Sequence, residues 1–195
     1  MFTGIVIEQG TVKKARGKGM LELEIEAPHV SKELRIGDSV AVNGVCLTAT
    51  STGRKRFEVQ AMQETLARST LDGVRKGSLV NLELPARLND RLGGHLVQGH
   101  VDGIGTAVRV EEDDGARLMW FEVDEDLLRY MVPKGSVTLD GVSLTLVDVG
   151  RTTFQVAIIP HTLAVTSLGS VRVGTPVNVE VDLLAKYVER LNVTK

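Results

Sequence analysis

The chain has 195 residues, 43% hydrophobic and 25% charged, the balance of an ordinary globular protein of one or two domains rather than a disordered or fibrous one. Its formal charge is -2 with acidic and basic residues interspersed, and aromatics make up 4%, so there is neither a basic stripe for phosphates nor a stacking platform for single strands. Nucleic acid is not an expected partner.

In chain order, Met1 to Ile7 is apolar but has no basic region before it and no small-residue cleavage site after it, and other apolar runs last only a few residues. Neither export nor membrane insertion is expected. Leu21-Glu-Leu-Glu-Ile-Glu26 alternates strictly, as a strand with one wet face does. Asn43-Gly44 sits between β-rich runs and favours a tight hairpin turn needing positive φ. Cys46 is the only cysteine, so no intrachain disulfide can form, which suits a reducing cytoplasm. Gln63 to Ser69 reads as a short helical turn, and Pro85 to Gly94, with Pro, Asn, Asp and Gly93-Gly94, as a linker.

The second half repeats the first. A shift of 97 lays residues 39–83 over 136–180 without a gap, with about twenty of the forty-five positions identical. Ser39-Val-Ala-Val-Asn-Gly-Val-Cys-Leu-Thr48 meets Ser136-Val-Thr-Leu-Asp-Gly-Val-Ser-Leu-Thr145, and Val80-Asn-Leu-Glu83 meets Val177-Asn-Val-Glu180. A shift of 95 aligns the repeat starts, Gly4 to Thr11 over Gly99 to Thr106. Asp140-Gly141 thus repeats the hairpin signal, and Pro160 to Thr166 repeats the helical turn, with Pro160 near the first helical position, where its missing N–H costs nothing. Asp182 to Leu191 has no copy in the first half, and it places Leu184, Tyr187, Val188 and Leu191 at helical spacing. This stripe must be buried on its own barrel or on another subunit.

Short strands with glycine-bearing turns in units of this size predict an all-β fold of two tandem Greek-key barrels related by duplication, which also removes exposed sheet edges. The expected units are residues 1–88, residues 95–181 and a C-terminal α-helix over 182–195.

The start Met1-Phe-Thr-Gly-Ile-Val6, the paired hairpins, Gly93-Gly-His-Leu-Val-Gln-Gly-His100 and Ile159-Pro-His-Thr162 together resemble the riboflavin synthase family, over essentially the whole chain. The resemblance implies six strands in each barrel, one 6,7-dimethyl-8-ribityllumazine bound by each, and a homotrimer held by the C-terminal helix. It places a pair of lumazines between the first barrel of one subunit and the second barrel of the next, and calls for no metal, nucleotide or flavin coenzyme. Association with lumazine synthase, the enzyme that makes the lumazine, stays open.

Matching family segments carry the expected substrate-binding residues. In the first copy these are Gly4, Ile5 and Val6, then Cys46, Leu47 and Thr48, then Gln60, Ala61 and Met62 with Gln63, Glu64 and Thr65. In the second copy they are Gly99, His100 and Val101, then Lys134, then Ser143, Leu144 and Thr145, then Ala157, Ile158 and Ile159 with Pro160, His161 and Thr162. A reaction that consumes two molecules of one compound fits duplicated pockets, but the two must behave differently. The copies do differ: Cys46 faces Ser143, Asn43 faces Asp140, Ile5 faces His100 and Glu64 faces His161.

The expected catalytic set is His100, Ser143, Cys46, Thr145, Asp140 and Phe2. A neutral imidazole titrates near working pH, so His100 is the candidate to take a proton from the acidic C7 methyl of one lumazine, leaving a carbanion to attack the other. Ser143 and Thr145 would orient donor or water, Cys46 would add to or hydrogen-bond the partner ring, and Asp140 would tune either pocket. Alternation puts Cys46 and Ser143 on one strand face with Thr48 and Thr145, near a barrel mouth. Each has a purely structural alternative: free cysteine behaves as a small buried hydrophobe, strand hydroxyls bond backbone, turn aspartates shape turns, and His95 and His100 fit a turn or core. Lys134 fits a solvated turn equally well, and Phe2 packs against ligand or barrel. Rival functions are a lumazine-binding antenna protein without catalysis, a flavin-binding reductase barrel, disfavoured because no Gly-x-Gly-x-x-Gly turn opens a helix, and a module acting only through protein contacts.

Overall fold

The computed structural model describes residues 1–17 and 19–192. The first repeat forms β1 (Glu8–Arg16), β2 (Met20–Glu26), β3 (Ser39–Val42), β4 (Val45–Thr52), β5 (Arg56–Met62) and β6 (Leu79–Glu83). The second forms β7 (Gly103–Asp113), β8 (Ala116–Glu122), β9 (Ser136–Leu139), β10 (Val142–Val149), β11 (Thr153–Ile158) and β12 (Pro176–Val181). Each set closes into an antiparallel barrel, ordered β1-β2-β5-β4-β3-β6 and, with the same topology, β7-β8-β11-β10-β9-β12. The all-β, two-barrel expectation holds.

The barrels curve at matching points. Register shifts at Val12/Lys14 and Ala49/Ser51 recur at Ala107/Arg109 and Leu146/Asp148, the same places under the repeat alignment. Such bulges bend and coil a strand, which closure requires. Leu21, Leu23 and Ile25 of β2 point inward with the glutamates between them facing out. Leu23, Ile25, Phe57, Val59 and Leu82 fill the first barrel, and Met119, Phe121, Leu146, Phe154 and Val156 the second. With both interiors packed, a ligand must sit on an outer wall.

The barrels join through their hairpins. Asn43 (φ 47°) and Gly44 (φ 75°), like Asp140 (φ 46°) and Gly141 (φ 77°), adopt the positive-φ geometry their sequences foretold. The two turns stand back to back, so closely that a Cβ on Gly44 would lie 2.7 Å from the backbone nitrogen of Gly141, and the converse holds. Asparagines at the barrel ends stitch the contact: Asn81 Nδ2 donates to Asp140 O at 2.9 Å and Asn178 Nδ2 to Asn43 O at 2.8 Å. Asn43 Oδ1 accepts from Asn81 N at 2.7 Å, and in the mirrored place Asp140 Oδ1 accepts from Asn178 N at 2.8 Å.

Short helices at Gln63–Arg68 and Pro160–Val165 occupy the predicted places, the latter with Pro at its start. The terminal helix runs Leu183–Asn192, one residue later than expected because Asp182 Oδ1 caps it, accepting from Leu184 N at 2.9 Å. Its polar side holds the second barrel through Lys186 Nζ to Asp102 Oδ1 at 2.6 Å and Tyr130 Oη to Glu189 Oε2 at 2.5 Å. The stripe of Leu184, Tyr187, Val188 and Leu191 is not laid on its own barrel and stays 58–77% exposed.

Asp140 is fully enclosed, and desolvation pushes its carboxyl up to about 7, opposed by hydrogen bonds from Asn178 and Ser167. A carboxyl whose folded pKa lies above its unfolded value of 3.8 contributes stability in acid, which is lost as pH rises through that window. Asp140→Asn copies Asn43, keeps the acceptor and removes the ionisation. In urea denaturation it should match the natural chain near pH 4 and become more stable by a few kcal/mol, on the order of three pKa units, by pH 7. Equal pH dependence of the two proteins would contradict this.

Candidate functional site

The repeat starts leave the barrels and lie between them. Phe2 and Val97 pair as a bridge, with Phe2 N to Val97 O at 2.7 Å and Val97 N to Phe2 O at 3.1 Å. Glu83 Oε1 accepts from Thr3 N at 2.6 Å and Thr3 Oγ1 at 2.7 Å, and its Oε2 from Gly4 N at 3.0 Å. Glu180 does the same for the second start, with Oε1 accepting from Gln98 N at 2.7 Å and Oε2 from Gly99 N at 3.0 Å. Burial pushes the Glu83 carboxyl up and that of Glu180 to about 7, against the amides that hold the charged form.

Each clamped start then reaches the other barrel. Ser143 N of β10 donates to Gly4 O, and Cys46 N of β4 donates to Gly99 O, both at 2.8 Å. Both glycines have positive φ, and a Cβ would lie 2.6 Å from Ser143 Cβ at Gly4 and 2.7 Å from Cys46 Cβ at Gly99. Only glycine fits there. The candidate sites are therefore built from both repeats.

On the first barrel a cavity of about 170 Å³ is lined by Cys46, Glu64, Thr65, Arg68, Gly99, His100 and Val101. Cys46 and Thr48 project from the outer face of β4, while Val45, Leu47 and Ala49 turn into the core, so the cavity lies against the outer wall close to the Asn43-Gly44 turn. Cys46 is a half-buried free thiol. Phe2 is 1% exposed and packs with Val97 and Ala41 against Cys46, a barrel contact behind the thiol. The His100 ring is exposed beside it. Glu64 pairs with Arg68 at 2.5 Å across a helical turn.

The second barrel is furnished differently. His95 Nδ1 lies 2.8 Å from Ser143 Oγ, and a neutral ring unprotonated at Nδ1 accepts a hydrogen bond from the serine hydroxyl there. Burial lowers the His95 pKa, and the charge of Asp182 partly restores it. Thr145 is exposed two residues further along the strand. His100 stands with Cys46 on the first barrel, because the crossing of the repeat starts carries it there from the second copy. Ile5 takes the position on the Ser143 side that matches His100, and also lines a larger cavity of about 610 Å³ under the linker with Arg87, Arg91 and Glu33.

Of the remaining expected binding residues, Gln60, Thr65, Val6, Val101, Leu144 and Thr162 are half-buried, and Met62, Gln63, Ala157, Ile159, Pro160 and His161 are exposed at strand ends and short helices. Leu47, Ala61 and Ile158 belong to the cores. Lys134 is an exposed turn residue at φ 67° whose N–H reaches Leu146 O at 2.8 Å. Asp140 lies in the barrel interface.

His95, Asp182, Glu83 and Glu180 were absent from the expected set. The glutamates had a signal: each is identical between the copies, at the end of a strand whose face it shares with an asparagine that is also identical between them. His95 had none, since it lies ahead of the aligned stretch that opens at Gly4 and Gly99 and so has no counterpart in the first copy.

The model of the lumazine binding domain matches residues 3–85 and 98–182. The riboflavin synthase of Mycobacterium tuberculosis (strain ATCC 25618 / H37Rv) is 48% identical over 199 residues, covering 98% of each chain. That of Actinobacillus pleuropneumoniae is 41% identical over 196 residues, covering 100% of this chain and 91% of its own length. Among solved structures, LumP complexed with riboflavin superposes with a TM-score of 0.86 at 24% identity, covering 93% of this chain and 100% of LumP. LumP complexed with 6,7-dimethyl-8-(1'-D-ribityl) lumazine gives 0.84 at 22% identity, covering 92% and 98%.

By NMR titration, His95 should lose its proton below the ordinary imidazole value, and Asp182→Asn should lower the midpoint further because the restoring charge is gone. A midpoint that rises in Asp182→Asn would rule out this electrostatic pairing.

Proposed function

The chain belongs to the lumazine-binding domain family, and from that premise we infer that it is an enzyme carrying out the riboflavin synthase reaction. Two molecules of 6,7-dimethyl-8-ribityllumazine become one riboflavin and one 5-amino-6-(D-ribitylamino)uracil by transfer of a four-carbon unit. The observation that carries the reading is the pair of like outer-wall positions with unlike polar groups, Cys46 with His100 on one barrel and Ser143 with His95 on the other.

A neutral imidazole takes the proton from the C7 methyl, and the electron pair left on carbon delocalises into the heterocycle. Burial lowers the His95 pKa, which suits a base, and Ser143 beside it can relay the proton, giving its own to His95 as it takes up the one from carbon. His100 stands ready for the same exchange at the first pocket, where Cys46 meets the second ring. Thr48 and Thr145 offer hydroxyls on the same strand faces, and the strand ends at Gln60 to Thr65 and Ala157 to Thr162 present main chain to the pyrimidine and ribityl groups.

The assembly is a homotrimer in this reading. The 170 Å³ cavity is smaller than the roughly 300–1,000 Å³ usual for an enclosed small-molecule site, so a second surface is needed to complete it. The exposed stripe of the terminal helix supplies the contact. An unpaired Cys46 fits work in a reducing cytoplasm, and no helix among the described residues is long and apolar enough to cross a membrane.

Purified protein mixed with ribityllumazine alone should generate riboflavin absorbance. His100→Gln, His95→Gln and Ser143→Ala should each slow this by more than about tenfold, the usual reach of acid–base catalysis. Tight binding without turnover would favour an antenna protein instead. Removing residues 183–195 should convert the trimer to monomer in sedimentation, and a truncated chain that still sediments as a trimer would defeat the assembly.

A further inference from the structure

His100 makes no hydrogen bond through its ring among the described residues, so the hydrogen bonds that bring it beside Cys46 are those of the neighbouring backbone. That backbone is bracketed. Before it, Glu180 uses both carboxylate oxygens on Gln98 N and Gly99 N, and Gly99 O is held by Cys46 N. After it, Asp102 N donates to Val179 O at 2.9 Å, and Asp102 Oδ2 accepts from Val181 N at 3.0 Å. Both anchors lie on β12, whose inward residues belong to the second core, and Glu180 itself is 3% exposed. No ladder partner substitutes for the carboxylate, since Gln98 and Gly99 lie outside every strand.

We propose that Glu180 is the positioning residue that fixes His100 over the Cys46 pocket, so that a buried carboxylate of the second barrel governs catalysis on the first. This deepens the proposed function and rests on it. Glu180 is buried and does not line the Cys46 cavity. It acts through the amides of Gln98 and Gly99, and Gly99 lies so close to Cys46 that no Cβ fits there. Glu83 is the internal comparator: the same clamp on Thr3 and Gly4 delivers Ile5, which carries no proton, to the Ser143 side. Asp102 and Lys186 are the charged groups acting on Glu180, one raising and one lowering its pKa.

Glu180→Gln keeps the size but turns an NH2 toward an amide that needs an acceptor. In the full chain its kcat for riboflavin formation should fall by more than about tenfold with KM within about threefold, since His100 serves a step after binding. Combined with His100→Gln, it should lose little beyond His100→Gln alone, because residues acting through one another are not additive. A folded Glu180→Gln with natural kcat, or losses that multiply, overturns the proposal. Should that variant fail to fold, the natural chain decides: the Gly99 amide resonance and kcat should move together as Glu180 titrates, and an amide that titrates while kcat stays flat overturns it. If the natural chain forms no riboflavin, the proposed function fails, and the clamp is judged by the His100 ring resonances, which must shift in Glu180→Gln and are fatal to it if they do not.

Discussion

A buried backbone N–H must have an acceptor, and the two repeat starts leave their sheets with theirs uncommitted. Glu83 and Glu180 meet that demand, each gathering consecutive amides that no strand reaches. Removing either acceptor strands two backbone donors, and at Glu83 the Thr3 hydroxyl as well, at roughly 1–3 kcal/mol for each. This explains why carboxylates survive where burial opposes their charge, and why amides rather than cations satisfy them. Once the starts are pinned, their carbonyls can take N–H groups from the opposite barrel, and the glycines at 4 and 99 become obligatory.

The crossing makes the barrels interdependent and also unequal. Under the pseudo-twofold relation Gly4 matches Gly99 and Cys46 matches Ser143, so backbone support is the same on both sides. The residue after each glycine is not the same: Ile5 reaches one side and His100 the other. His95 breaks the relation more deeply, because it comes from the connection between repeats, and a chain has only one such connection. Ser143 therefore gains an imidazole that Cys46 cannot acquire by symmetry. Two identical substrates can be driven to opposite fates only where their surroundings differ, and the difference here arises from connectivity as much as from substitution.

Much of the architecture was legible from period and repetition. Alternation in Leu21 to Glu26, the paired Asn-Gly and Asp-Gly turns and the unmatched helical stripe each have a local physical cause, and local causes can be read from short strings. The crossing could not be read. Alternation says that Asn81 and Glu83 sit on the face opposite the core, where a polar residue is ordinarily taken to meet water, and it is silent on a second barrel covering that face. The same crossing carries His100 of the second copy to Cys46 of the first, which no string within either copy encodes. The His95–Ser143 contact joins residues 48 apart in sequence and exists only because the linker returns over β10.

The terminal helix ties these features together. Asp182 both caps it and raises His95, while Lys186 grips Asp102, two residues beyond His100. The helix thus bears on both histidine segments, through the half-buried Lys186–Asp102 pair and the charge of Asp182, and single pairs near a surface are worth on the order of 1 kcal/mol. Burying its stripe would be worth roughly 1.5–3 kcal/mol for each large apolar side chain. The larger energy sets the order of the helix, so whatever covers Leu184, Tyr187, Val188 and Leu191 also steadies the carboxylate and ammonium that face the two sites.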